Sequence, residues 1–214
     1  MARQRKHLNA QNSTLIKALT ELDERLYSQY HNEIQPLNLN VIGGFALLLH
    51  NVRKDPNEFT DIDFVGRELD PRIKTIADEI GLKYNLGRGW LNNDVALFDD
   101  SMDIIENMVG KIHFEPVELN LKMINVNAAR PQDILRMKVV AVDTWIIGMP
   151  KNEPYARARD FKDIKLLMDD IDVDMNTLIF ETEEYVLEPE TYSLIKEYTQ
   201  TGYNRLMPKA LKRS

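Results

Sequence analysis

The run Asp61-Ile62-Asp63-Phe64-Val65 sets two carboxylates two positions apart in an otherwise apolar stretch. In a strand, side chains two apart share a face, so Asp61 and Asp63 project together while Ile62 and Phe64 enter a core. Two carboxylates held that close repel each other unless a cation lies between them. An all-oxygen pair suits Mg²⁺, which binds one or two carboxylates and completes its shell with substrate phosphates. Such metal chemistry activates an attacking hydroxyl and neutralises a leaving pyrophosphate in an in-line displacement. Two surface aspartates on a solvated edge strand would show the same spacing.

The residues upstream bear on that choice. Leu37 to Ile42 alternates Leu37, Leu39 and Val41 with Asn38 and Asn40, the period of a strand. Gly43-Gly44 ends it, and Phe45-Ala46-Leu47-Leu48-Leu49-His50 starts a buried helix. Backbone N–H groups at such a start can hold a phosphate, and glycine permits its close approach. A Gly-Gly turn alone would be only a turn. Strand, Gly-Gly, helix, loop and a strand bearing Asp-x-Asp form a composite that rarely arises by accident.

Two helical positions add charge where an apolar face is expected. Ile134, Lys138, Ala141 and Trp145 fall on one stripe, so Lys138 interrupts it and needs a partner. A bound polyphosphate would serve, and so would snorkelling into solvent. Asp160 shares a line with Ile164 and Leu167, where it can support the carboxylate pair or orient Lys138 through an ion pair. A surface salt-bridge ladder is the alternative there. Arg157 and Arg159 can hold phosphate or face solvent.

These residues need elements to position them. Ser13 to Gln29 carries leucine and isoleucine at helical spacing, and Thr60 to Val65 reads as a strand. Pro71 to Ile80 reads as a helix, followed by a loop from Gly81 to Asn93. A short strand is expected at Val95 to Phe98, then a mixed segment from Met102 to Met108. Ile112 to Leu119 and Leu121 to Val126 read as two strands, a hairpin or one bent ribbon. From Pro131 the pattern is helical: Pro131 to Ile147 with proline in the first turn, then Pro154 to Met168 behind Asn152 as N-cap. Shorter helices are expected at Met175 to Val186 and Pro189 to Thr201. The fold class is α+β, a core over residues 1–130 and a helical part over 131–214, packed as a single structural domain.

Bulk composition narrows the classes. The 214 residues are 43 % hydrophobic, as in a packed globular chain. The absence of cysteine excludes disulfides, thiolate zinc sites and cysteine nucleophiles. His7, His31, His50 and His113 are too scattered for close metal-ligand spacing. No apolar run approaches the roughly 20 residues that span a bilayer. The basic start, Met1 to Lys6, lacks an apolar signal core, so a cytoplasmic location is expected. The net charge of −7 argues against coating nucleic acid by phosphate neutralisation and fits a pocket for nucleotide with Mg²⁺.

The order of these motifs resembles the nucleotidyltransferase superfamily, with its Gly-Gly or Gly-Ser turn followed by Asp-x-Asp. Ile42-Gly43-Gly44-Phe45-Ala46, His50 and Thr60-Asp61-Ile62-Asp63 look like the bacterial branch that includes the AbiEii abortive-infection toxins. Pro131 to Ala141, with Lys138, is similar to that branch's lysine helix. Arg157 to Ile164, with Asp160 and Asp163, is similar to its Arg/Lys-Asp motif. Gly89-Trp90-Leu91-Asn92 resembles an element of the short DUF6036-like proteins. The resemblance spans roughly residues 37 to 170. It implies a mixed sheet with flanking helices, Mg²⁺ on Asp61 and Asp63, and phosphates held by Gly43, Gly44 and Lys138. It also implies catalytic roles for Asp61, Asp63, Lys138 and Asp160.

Many active members carry a third carboxylate on a neighbouring strand. Glu118, Asp94 and Asp103 are the candidates. The resemblance implies transfer of a nucleoside monophosphate from an NTP to a hydroxyl, RNA among the acceptors, with an antitoxin as partner. Modification of a small molecule or a protein is a second enzymatic version. A degenerate member that binds nucleotide or a partner without catalysis is the alternative from another class.

Overall fold

The computed structural model describes residues 13–55, 61–93, 107, 110–148, 158–173 and 186–202. The strand expected at Val95 to Phe98 and nearly all of Met102 to Met108 and Met175 to Val186 lie outside them. The chain gathers into two compact units: Met1–Met102 with His113–Arg130, and Asp103–Ile112 with Pro131–Ser214.

Among the described residues the first unit is built on a five-stranded mixed sheet. In chain order its elements are α1 (Thr14–Tyr30), β1 (Leu37–Val41), α2 (Gly43–Leu49), β2 (Ile62–Val65), α3 (Pro71–Lys83), β3 (Leu91–Asn92), β4 (Phe114–Val117) and β5 (Ile124–Ala129). The strand order is β3-β2-β1-β5-β4. β1 runs antiparallel to β2 and parallel to β5, β2 is parallel to β3, and β4 is antiparallel to β5.

Register explains which side chains meet. Leu39 pairs with Val126 and Val41 with Ala128 on one face, all four buried, and Ile62, Phe64 and Leu91 continue that face across β2 and β3. The apolar sides of the helices complete the core: Leu15, Leu19, Leu22 and Leu26 of α1, Phe45 to Leu49 of α2, and Ile73, Ile76 and Ile80 of α3. Ser13 caps α1 by accepting from the Leu15 N–H, and Asp70 caps α3 by accepting from that of Arg72. Buried Asp23 accepts from the backbone N–H groups of Lys122 and Met123, tying the β4–β5 connection to α1. The opposite sheet face is polar, with Asn38, Asn40, Asp63, Asn92, Asn125 and Asn127 on it, interrupted by buried Val65.

The stretch read from sequence as a loop, Gly81 to Asn93, holds the end of α3 and all of β3. Trp90 explains the difference. Its indole is 1 % exposed and donates to the Ala77 carbonyl at 2.6 Å, and its own carbonyl accepts from the Ile62 N–H at 2.6 Å. A Cβ on Gly81 would stand 2.4 Å from the Trp90 ring, so glycine makes room for it. A two-residue strand has no periodicity to detect.

The second unit packs three described helices, α4 (Pro131–Gly148), α5 (Ala158–Ile171) and α6 (Pro189–Thr201), against one another. Ile134, Leu135, Val139, Val142, Phe161, Ile164, Leu167, Leu194 and Ile195 are buried there. Buried Asp143 accepts from the Glu188 N–H at 3.2 Å and fixes the start of α6 on α4. No helix among the described residues is long and apolar enough to cross a membrane.

Candidate functional site

β1 delivers the chain to Ile42, whose N–H donates to the Asp63 carbonyl at 3.0 Å. Gly43 follows with φ +62°, a left-handed conformation that costs other residues about 1–2 kcal/mol. A Cβ built on Gly43 would lie 3.1 Å from Asp63 Oδ2. Conformation and space therefore both select glycine at 43, and the Asp63 carboxylate lies directly against the turn. Its other oxygen, Oδ1, accepts from Asn92 Nδ2 at 3.1 Å, because β2–β3 register sets Asn92 opposite Asp63.

Asp61 stands one residue before β2 and is exposed, while Asp63 is half-buried between the buried Ile62 and Phe64. That alternation is the one expected of a strand with one polar face. Gly44 sits in the first turn of α2, where N–H groups lack an intrahelical carbonyl. α2 has only 7 residues, so individual N–H groups rather than a long helix dipole act there. His50 closes α2, and its Nε2 lies 2.7 Å from the Ala129 carbonyl, which requires the proton on Nε2 and pins the helix end to β5.

Of the third-acid candidates, Glu118 is the one within the described residues. Glu118 is exposed just past the end of β4, and β1 and β5 separate β4 from β2. At about 4.8 Å per strand it stands roughly 14 Å across the sheet from Asp63. Asp94 and Asp103 lie outside the described residues. Among the described residues no group of three or more His, Asp or Glu is arranged to hold a metal ion. The donor set here is a carboxylate pair with a neighbouring amide. Such a pair suits a hard cation that brings its remaining oxygen ligands with a phosphate substrate.

Lys138 and Asp160 meet within the second unit. Lys138 Nζ lies 2.5 Å from Asp160 Oδ1 and 2.8 Å from Asp163 Oδ2, and the Asp163 side chain is only 2 % exposed. Asp160 and Asp163 are three apart on α5 and so share a face. Asp160 also sits in the first helical turn, where a negative charge is favoured. Burial opposes the Lys138 charge, but the two carboxylates outweigh it and hold the ammonium above its ordinary range. Burial and the nearby Asp163 push the Tyr198 phenol up as well. The partner that Lys138 requires is thus present inside the protein. Sequence inspection named Asp163 and Asn92 only as parts of motifs and gave neither a role in the site; the i, i+3 spacing to Asp160 was the available signal for the first. Arg159 is exposed, and Arg157 lies outside the described residues.

A groove of about 560 Å³ is lined by residues of α1 and by Lys83 and Tyr84 at the end of α3, and several of its charges pair with one another. Glu21 pairs with Arg25 at 2.7 Å and with Lys83 at 2.5 Å there.

No family model matches the chain, and no curated protein or solved structure matches it.

Proposed function

We propose that this protein is a Mg²⁺-dependent nucleotidyltransferase that moves a nucleoside monophosphate from an NTP to an acceptor hydroxyl. One observation carries the reading: the Asp63 carboxylate lies against a glycine turn, with Oδ2 3.1 Å from where a Gly43 Cβ would stand. A carboxylate beside an unhindered backbone is a place where a metal-bound phosphate can reach both at once. Asp61 and Asp63 would hold Mg²⁺, which supplies charge neutralisation on the triphosphate. The N–H groups at Gly43 and Gly44 would position the phosphates. In the transfer, the acceptor oxygen bonds to the α-phosphorus, the α–β phosphoanhydride bond breaks, and pyrophosphate leaves. Phosphoryl-type transfer asks little of a protein beyond this positioning and neutralisation. By the sequence resemblance RNA is among the acceptors and an antitoxin among the partners, with small molecules and proteins as the other acceptors.

A specific observation favours a second reading. Asn92, an amide rather than an acid, stands opposite Asp63 on the neighbouring strand, and the described residues offer no third carboxylate beside the pair. A protein that binds Mg–NTP without transferring it would carry such a site.

Incubation with labelled NTPs, Mg²⁺ and a total RNA and protein extract separates the two. Label in RNA supports the RNA-directed enzyme, and label in protein redirects the acceptor. NTP binding with no labelled product supports the binding protein. No binding and no label end the nucleotide reading.

A further inference from the structure

The polar face of the sheet continues past Asp63 as a block of four asparagines. β1 contributes Asn38 and Asn40, β5 contributes Asn125 and Asn127, and parallel register sets Asn38 beside Asn125 and Asn40 beside Asn127. Asn125 Nδ2 donates to Asn38 Oδ1, and Asn127 Nδ2 to Asn40 Oδ1, each at 3.0 Å. Every amide offers two donors and two acceptor lone pairs, so one bond per pair leaves most of that capacity unused. Asn38 and Asn125 are exposed, and Asn40 and Asn127 half-buried.

Asparagine is depleted in strands, where β-branched and aromatic residues pack better. Four of them on the polar face of adjacent strands, one the centre of the sheet, is a poor choice for strand stability alone. The block is also tied to the carboxylate. Asn40 pairs with Val65, so Asp63 is its diagonal neighbour, roughly 7–8 Å away on the same face. Asn127 lies one strand spacing further.

Along this face the chemistry changes from charged to neutral. Asp61 and Asp63 suit a metal and phosphates, whereas the amides carry no charge and present donors next to acceptors. That is the complement of a nucleobase edge, which an asparagine can meet with two hydrogen bonds. A phosphate would gain less there, since no cation stands in the block. We propose that the Asn38, Asn40, Asn125 and Asn127 block reads the base of the NTP, a role that rests on the nucleotide reading above.

Isothermal titration of the full chain with each Mg–NTP and with Mg–tripolyphosphate tests this. Tripolyphosphate reports the phosphate and metal site, and the gain of an NTP over it reports the base. Wild type should bind at least one NTP more tightly than tripolyphosphate. Asn40→Thr with Asn127→Thr, a strand-favouring change that lacks the amide, should weaken that NTP about tenfold and leave tripolyphosphate unchanged. Asn38→Thr with Asn125→Thr, at the exposed pair, should act in the same direction and gives a readout if the inner variant fails to fold. Unchanged NTP affinity in both variants overturns base reading, as does an equal fall for NTP and tripolyphosphate. Wild type binding tripolyphosphate as tightly as every NTP also overturns it, while the phosphate site stands. Wild type binding neither ligand overturns both proposals.

Discussion

Asp63 and Asp163 have the same side chain, and each sits on an element with a buried apolar side, but their surroundings treat the charge differently. Asp163 is sealed with Asp160 around the Lys138 ammonium, so attraction between buried ions offsets the cost of removing them from water. Asp63 is half-buried, accepts a hydrogen bond from the Asn92 amide and stands against the Gly43 backbone. An amide N–H orients a carboxylate without cancelling its charge. The first arrangement joins two helices of one unit. The second sets a carboxylate oxygen against the backbone of a glycine turn. A carboxylate's role therefore depends on what faces it more than on its own position in the chain.

The comparison breaks most visibly at Lys138. Replacing it with methionine removes the ammonium that both buried carboxylates contact, and unfolding should cost about 3–5 kcal/mol less than in wild type. Urea titration of the full chain checks this, and adding Asp163→Asn should recover part of the loss. The same lysine sets an alkaline limit. Because its folded pKa is raised, its contribution is fully present below the unfolded lysine value of about 10.4, and is lost as pH rises through the folded value. Wild type should lose stability steeply in that range, and the methionine variant should lack that component.

At the other carboxylate the expected loss is in activity. Asp63→Asn should reduce nucleotide transfer on the order of 10²–10³-fold while shifting the melting temperature little. Asp61→Asn should act in the same direction, read in single turnovers with labelled NTP. A large fall in stability with Asp63→Asn would make the two carboxylates alike and remove the contrast.

Gly43→Ala sharpens the same point through the backbone. It should cost about 1–2 kcal/mol from the φ of +62° alone, and the added methyl must also displace the Asp63 carboxylate. NTP affinity should therefore fall by more than a stability change of that size explains. The smallest effect is expected from Asn92→Ala, which removes the hydrogen bonds to Asp63 and to the Gly89 carbonyl, each worth about 0.5–1.5 kcal/mol, and leaves Asp63 less oriented. Titration with Mg–NTP should show a few-fold weakening with the fold intact.

Much of this architecture was legible in local patterns. α1 is described from Thr14 to Tyr30, close to the Ser13 to Gln29 span that its leucine spacing marks. The Leu37 to Val41 alternation became β1, and the two strands before Pro131 became the antiparallel pair β4 and β5. β3 was not legible, since a two-residue strand is held by the Trp90 anchor rather than by periodicity.

By itself, the sequence determined α1 and the alternating strands β1 and β2, because each follows from a period of 3.6 or 2. Only the tertiary structure decided who faces whom. Strand order put the Asp63 carboxylate on Gly43, β3 register put Asn92 on Asp63, and β1–β5 register built one block from asparagines 87 positions apart. Helix packing gave Lys138 its two carboxylates, where the apolar stripe showed only that it needed a partner. Local periods say which way a side chain points along its own element. Partners distant in sequence are set by the packing of whole elements, which no local pattern encodes.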